Sequence, residues 1–242
     1  MAGGKLSARQ KMINLMYLVF IAMLAMNMSK EVLSAFGFMN EKLTVNNAST
    51  TDKNNEAYAN LATKAKEQKE KFGKLNEQAN EIKKFSADFY SYLDELKLKM
   101  AADIENKSDY EAMDKTDFLD AYFFKGDGYT SEGQDFLDKI NGFRTSLVNT
   151  LGSDSKFTPV INKRFNTDDV NRGGKKTQKW LKARYEGFPL VASLTNLTQM
   201  QADIKNSEAD IVTDLLGGKM EEALSLTNYE GIVSLKKTAY FA

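Results

Sequence analysis

The side chains that most enzyme chemistry depends on are missing from this sequence, which contains no His and no Cys. Their absence removes the commonest general base, the usual transition-metal ligands, the thiolate nucleophile and any disulfide framework. Two stretches imitate ligand loops. "NRGGKKT" has the look of a phosphate loop, but Asp168 and Asp169 stand where the motif requires its first Gly ahead of Gly173 or Gly174. "KGDGYTSEG" follows an Asp-rich stretch, yet it lacks the alternating order of a calcium loop and reads as a turn. A glycan-cleaving enzyme would need two carboxylates across a cleft. The abundant Asp and Glu are explained more simply as solvated helix faces. No catalytic residue, metal ligand or cofactor is therefore expected. The 33 basic and 33 acidic residues cancel, so the basic excess of a nucleic-acid binder is missing too.

One cation sits where its placement poses a chemical question. Arg9, with Lys11 close behind, precedes "MINLMYLVFIAMLAMNM", an uncharged run over 12–28. A bilayer needs about 20 apolar residues of helix. Ser7 as an N-cap, and a renewed apolar pattern at Val32, Leu33, Ala35, Phe36 and Met39, extend the helix at both ends. A cleaved signal peptide would need an A-x-A order that "AML" and "AMN" do not supply. A soluble core helix would need a polar face between Lys11 and Ser29. The run thus reads as an uncleaved anchor among membrane lipids. Lys5, Arg9 and Lys11 precede it without an acid, whereas Lys30, Glu31, Glu41 and Lys42 are mixed beyond it. That asymmetry makes the N-terminus cytoplasmic and puts the bulk of the chain outside the inner membrane, in the periplasm of a bacterium.

In helical register Arg9, Ile13, Met16, Phe20, Met23, Asn27 and Lys30 form one stripe. Ala22, Ala25 and Ser29 form another, small enough for a second helix to approach closely. Arg9 and Lys11 either snorkel to headgroups as topology markers or, for Arg9, pair with a partner's carboxylate inside the membrane. Asn14, Tyr17 and Asn27 have the matching choice between interfacial anchoring and hydrogen bonds to another helix.

Beyond the run, the polar segment "NNASTTDKNN" predicts a break or bend in the emerging helix. Three-and-four spacing from Tyr58 through Leu61, Phe72, Ile82 and Phe89 to Met100 predicts one long amphipathic helix. Phe136, Ile140, Phe143, Leu147 and Leu151 mark another, with Gly152 as its stop, and 153–176 reads as loop. Pro189 opens a further helix with a seam from Leu190 to Leu215 and a stop at Gly217 and Gly218. "NYEGIVSLKKTAYFA" reads as strand. The expected fold class is all-α: a single N-terminal transmembrane helix, then an elongated periplasmic helical bundle, then the start of a β domain at the C-terminus. The boundaries are 1–35 for the cytoplasmic stub and transmembrane helix, 36–222 for the bundle and 223–242 for the beginning of a truncated β-sandwich domain.

"KLSARQKMINLMYLVFIAMLAMNMSKEVLSAFGFMNEKL" resembles the N-terminus of the GldM/PorM family, and "FPLVASLTNLTQMQADIKNSEADIV" resembles a later helix of the same proteins. The family forms part of the type 9 secretion and gliding motility apparatus of Bacteroidetes. The resemblance implies a homodimer whose two membrane helices stand inside a pentameric ring of the GldL/PorL-type membrane subunit, with proton flow turning one against the other. Further domains would reach an outer-membrane-associated secretion ring. Arg9 matches the family's basic residue and would be the counter-charge of a ring carboxylate. No Asp, Glu or His lies between Met12 and Ser29, so a proton-carrying group would have to come from that partner. The competing reading is a single-pass membrane sensor or adaptor with a periplasmic helical bundle. It is weakened by the short stub of about eleven residues ahead of the run, too short for an output domain.

Overall fold

A computed structural model describes residues 7–171 and 177–239, with the side chains of 23–29 and 218–239 left out of the description. The chain enters α1 (Ala8–Glu67) at Ser7, whose hydroxyl accepts the Gln10 amide at 3.3 Å. Ser7 is thus the cap its position suggested. α1 then runs for 60 residues, and the break expected within 43–53 does not occur. The physical reason lies in where the polar side chains go. Thr44 and Thr51 bond back to the carbonyls of Asn40 and Asn47 in their own helix. Asn47 and Asn54 donate to a neighbouring helix, so they no longer compete for the α1 backbone.

The interruption falls instead at Gln68, with φ −134° and ψ 66°. It divides the single helix expected over 58–100 and lets α2 (Lys69–Met100) fold back along α1. A straight helix would leave its apolar stripe in water. Folding back closes Tyr58, Leu61 and Ala65 of α1 on Phe72 and Ala79 of α2, with Val212 completing the cluster. Each large side chain so buried contributes about 1.5–3 kcal/mol.

A 3₁₀ turn at Tyr110–Ala112 precedes α3 (Asp117–Phe123) and a hairpin of β1 (Phe124–Lys125) and β2 (Gly128–Tyr129), with Phe124 opposite Tyr129. α4 (Ser131–Leu151) is capped by Thr130, whose hydroxyl accepts the Gly133 amide at 3.0 Å, and it ends at Gly152 with φ +88°. Its Phe136, Ile140, Phe143 and Leu147 are buried, as their spacing requires. The segment expected as loop holds a short α5 (Thr158–Arg164), opened by Pro159 where a missing N–H has no partner to lose. α6 (Trp180–Tyr185) leads into α7 (Leu190–Ala239).

α7 departs from expectation at its end. It passes through Gly217 and Gly218 and remains helical over 229–239, where the strand of a β domain was expected. Two interior glycines cost roughly 2 kcal/mol together. Extending an existing helix adds a hydrogen bond per residue without a new nucleus, whereas a lone strand has nothing to pair with. The last residues of the expected strand, 240–242, lie outside the described residues.

Side-chain pairs set the helix directions. Asn47 with Thr198 and Asn54 with Lys205 advance together, so α1 and α7 are parallel. Lys83 stands 5.0 Å from the ring centroid of Tyr58, and Gln201 reaches Tyr90 and Asp94, which makes α2 antiparallel to both. On its other side α2 meets α4 through Phe89–Phe143 and Tyr92–Phe136, with centroids 5.2 and 6.3 Å apart. Phe123, Phe136 and Tyr185 complete an aromatic core at 5.1–5.8 Å centroid separations. Among the described residues no helix is long and apolar enough to cross a membrane. The described side chains of the apolar run reach only to Ala22, and the remainder of the expected anchor, 23–29, lies outside them.

Leu61 is fully buried between α1 and α2, and Val45 on α1 is 68% exposed. Leu61→Ala is expected to lower unfolding free energy by about 2–5 kcal/mol in chemical denaturation. Val45→Ala should change it by less than about 0.5 kcal/mol.

Candidate functional site

Arg9, Lys11, Asn14, Tyr17 and Ala22 all lie on α1 with exposed side chains. The helix places Arg9, Ile13, Met16 and Phe20 on one stripe, with Met16 66% and Phe20 61% exposed. An apolar surface of this extent is one that lipid or a partner helix covers. Ala25, Asn27 and Ser29 fall in α1, but their side chains lie outside the described residues. The described structure brings none of these residues against another element of the chain.

What it does bring together is a polar seam on the same helix farther along. Asn47 Nδ2 donates to the Thr198 carbonyl at 3.1 Å, and Asn54 Nδ2 to the Lys205 carbonyl at 2.9 Å. Asn47 and Asn54 are about two turns apart on α1, and Thr198 and Lys205 are equally spaced on α7. At one end the Thr195 hydroxyl lies 3.1 Å from the Phe36 carbonyl. At the other, Tyr58 donates to Glu208 Oε1 at 3.3 Å. α2 is tied in through Gln201, fully buried, whose Nε2 donates to Asp94 Oδ1 at 2.8 Å while its Oε1 accepts Lys97 Nζ at 2.6 Å. A buried polar group costs about 1–3 kcal/mol when unpaired, so these bonds discriminate strongly among alternative alignments of the three helices.

Glu208, at one end of this seam, is only 2% exposed. Its Oε2 pairs with Lys205 Nζ at 2.8 Å. Burial pushes the Glu208 carboxyl above the usual carboxylate range, against the pull of Lys205, Tyr58 and Lys83. Burial and the facing carboxylate together raise the Tyr58 phenol far above its ordinary value, so Tyr58 stays a donor. The sequence pattern had presented Asn47 and Asn54 only as weak helix formers. Their seven-residue spacing, shared with Asn40, was the signal of a face turned toward a partner helix.

A cleft of about 360 Å³ between α5, α6 and α7, lined by Trp180, Arg184 and Asp203 among others, mixes both signs of charge without a nucleophile paired to a base. Among the described residues no group of acidic side chains could hold a metal ion.

The fold is thus an unbroken helix that carries an apolar stretch and is pinned by directional bonds into a helical domain. The family described as GldM N-terminal domain matches residues 31–218, and the chain belongs to that family. Its members are membrane-associated components of the type 9 secretion and gliding motility complex and are not a known enzyme family. No curated protein matches the chain.

The raised carboxyl of Glu208 gives the domain a pH dependence of known sign. Between the ordinary Glu value and the raised one the folded state binds more protons than the unfolded state, so stability falls as pH rises through that window. Chemical denaturation of Glu208→Gln over about pH 4–8 should show this slope reduced relative to the parent chain.

Proposed function

We propose that the chain is an inner-membrane subunit of a proton-motive-force-driven rotary motor that powers type 9 protein secretion and gliding motility. In this reading 1–35 form a cytoplasmic stub and a single transmembrane helix, and the helical domain stands in the periplasm as the base of an elongated homodimeric stalk. The observation that carries the proposal is the family match over 31–218 joined to the continuity of α1 from Ala8 to Glu67. At 1.5 Å per residue such a helix is about 90 Å long. A rod with no hinge between its apolar stretch and its domain can deliver rotation or tilt from one to the other.

The chemistry at the membrane end follows from residue types. Arg9 stays charged at any accessible pH and so serves as a fixed positive pole, not as a proton carrier. The carriers are carboxylates of a pentameric ring of the GldL/PorL-type subunit, each neutralised on protonation and drawn to Arg9 when ionised. One proton crossing the membrane releases about 2.3 kcal/mol per 100 mV, comparable with the coupling energy of a close ion pair. Lys11, Asn14, Tyr17 and Asn27 offer hydrogen bonds to the ring or the second copy, and Ala22, Ala25 and Ser29 allow close helix approach. Domains beyond the helical one would carry the motion to an outer-membrane-associated secretion ring.

Arg9→Ala is expected to abolish secretion and gliding at unchanged protein level, while Arg9→Lys, which keeps the charge but loses the fork, retains a fraction. Full activity of Arg9→Ala in a secretion assay would remove the ion pair from the mechanism.

A further inference from the structure

α1 enters the main core at Leu33, which is buried there, and one turn farther on, at Gly37, its contact with the domain is unusually close. A Cβ on Gly37 would lie 2.1 Å from two ring atoms of Tyr110, so the ring occupies the space any other residue's side chain would need. Phe38 meets the same ring edge-on at a centroid distance of 6.1 Å, and the Tyr110 hydroxyl donates to Glu41, one turn farther along α1. Burial and that carboxylate push the Tyr110 phenol up to about 12, so it keeps its proton at any physiological pH. Next to it, Glu111 pairs with Lys30 at 2.9 Å across the surface. The segment that follows is itself tied down, since the Met113 and Lys115 carbonyls accept the Val191 and Leu190 amides that open α7. Met113 is buried in the main core. The 3₁₀ turn at Tyr110–Ala112 therefore bridges α1, where it leaves the domain, and the first turn of α7.

We propose that Tyr110, seated in the Gly37 notch, is the positioning residue that straps α1 to the domain and sets the direction in which the N-terminal part of the helix projects. The inference rests on the motor reading above, because that reading requires Arg9 to meet a carboxylate at a defined place. The arm from Gly37 to Arg9 is about 42 Å long. Ten degrees of slack at the notch would displace Arg9 by roughly 7 Å, beyond the reach of an ion pair. The surface pair Lys30–Glu111 is about half exposed at each partner and cannot hold the arm alone. Leu33 anchors the helix in the core one turn earlier, and the ring packed against the α1 backbone at Gly37 adds the second point that fixes its direction.

The test uses the full chain in native membranes with its partners present. The chain has no Cys, so Lys30→Cys with Glu111→Cys forms a clean pair for a short bis-maleimide. Tyr110→Ala should lower the crosslinking yield at least about fivefold and secretion at least about tenfold, while Tyr110→Phe retains most of both because the ring stays in the notch. Gly37→Ala should lower Tm although Ala is the better helix former. In combination with Tyr110→Ala it should add little, because both changes break one contact. A raised Tm for Gly37→Ala, or an unchanged crosslinking yield for Tyr110→Ala, would overturn the strap. Lost crosslinking with secretion intact would overturn its role in positioning while Arg9→Ala remains inactive. If Arg9→Ala is also fully active, the motor reading fails and the strap's role falls with it.

Discussion

The amide side chains of Asn47 and Asn54, aimed at the carbonyls of Thr198 and Lys205, are the contacts on which the rest of this structure depends. They join the two longest helices in parallel. Parallel neighbours cannot be linked by a short turn: α2 brings the chain back to the starting end, and α4 runs out and α5 and α6 return before α7 sets off beside α1. An apolar seam tolerates sliding, because one Leu can replace another against the same surface. A seam of directional bonds does not. A slip of one turn, about 5.4 Å, would strand the amides, Tyr58 and Glu208 together, each at the cost of an unpaired buried group.

The molecule divides its physical work accordingly. On the side of α2 that faces α4, packing is aromatic and largely apolar, with Phe89, Phe143, Phe136, Phe123 and Tyr185 in mutual contact. That half is the densely packed part of the main core. On the side facing α1 and α7 the apolar cluster around Leu61 and Phe72 is joined by polar, directional bonds that hold α1 in register. In the motor role proposed above, such a division suits a part that passes on motion.

Legibility in the sequence followed the range of the interactions. Ser7 as a cap, Gly152 as a stop, the buried stripe of α4 and the placement of Arg9 on the N-terminal stripe all depend on residues within a few turns of one another, and all were readable. The polar seam was not readable, although its residues were in view. Local propensity makes Asn47 and Asn54 look like helix breakers, because the partners that decide otherwise lie about 150 positions away. The same blindness hid the break at Gln68, where no Gly or Pro marks the turn and the choice is made by Leu61 and Phe72 finding each other.

By itself the sequence determined the class: a chain without His or Cys, helical by periodicity, led by an apolar run with Arg9 at its head. Composition and local spacing suffice for that, because hydrophobic patterning and capping are short-range effects. Only the tertiary structure decided that α1 continues unbroken through its polar segment, that α7 runs beside it in parallel and continues past its glycines, and that Gly37 is a notch for Tyr110. Each of these is settled by side chains that meet across long separations in sequence. There the free energy of burying or pairing a group outweighs the few tenths of a kcal/mol to about 1 kcal/mol by which local propensity favours one backbone state over another.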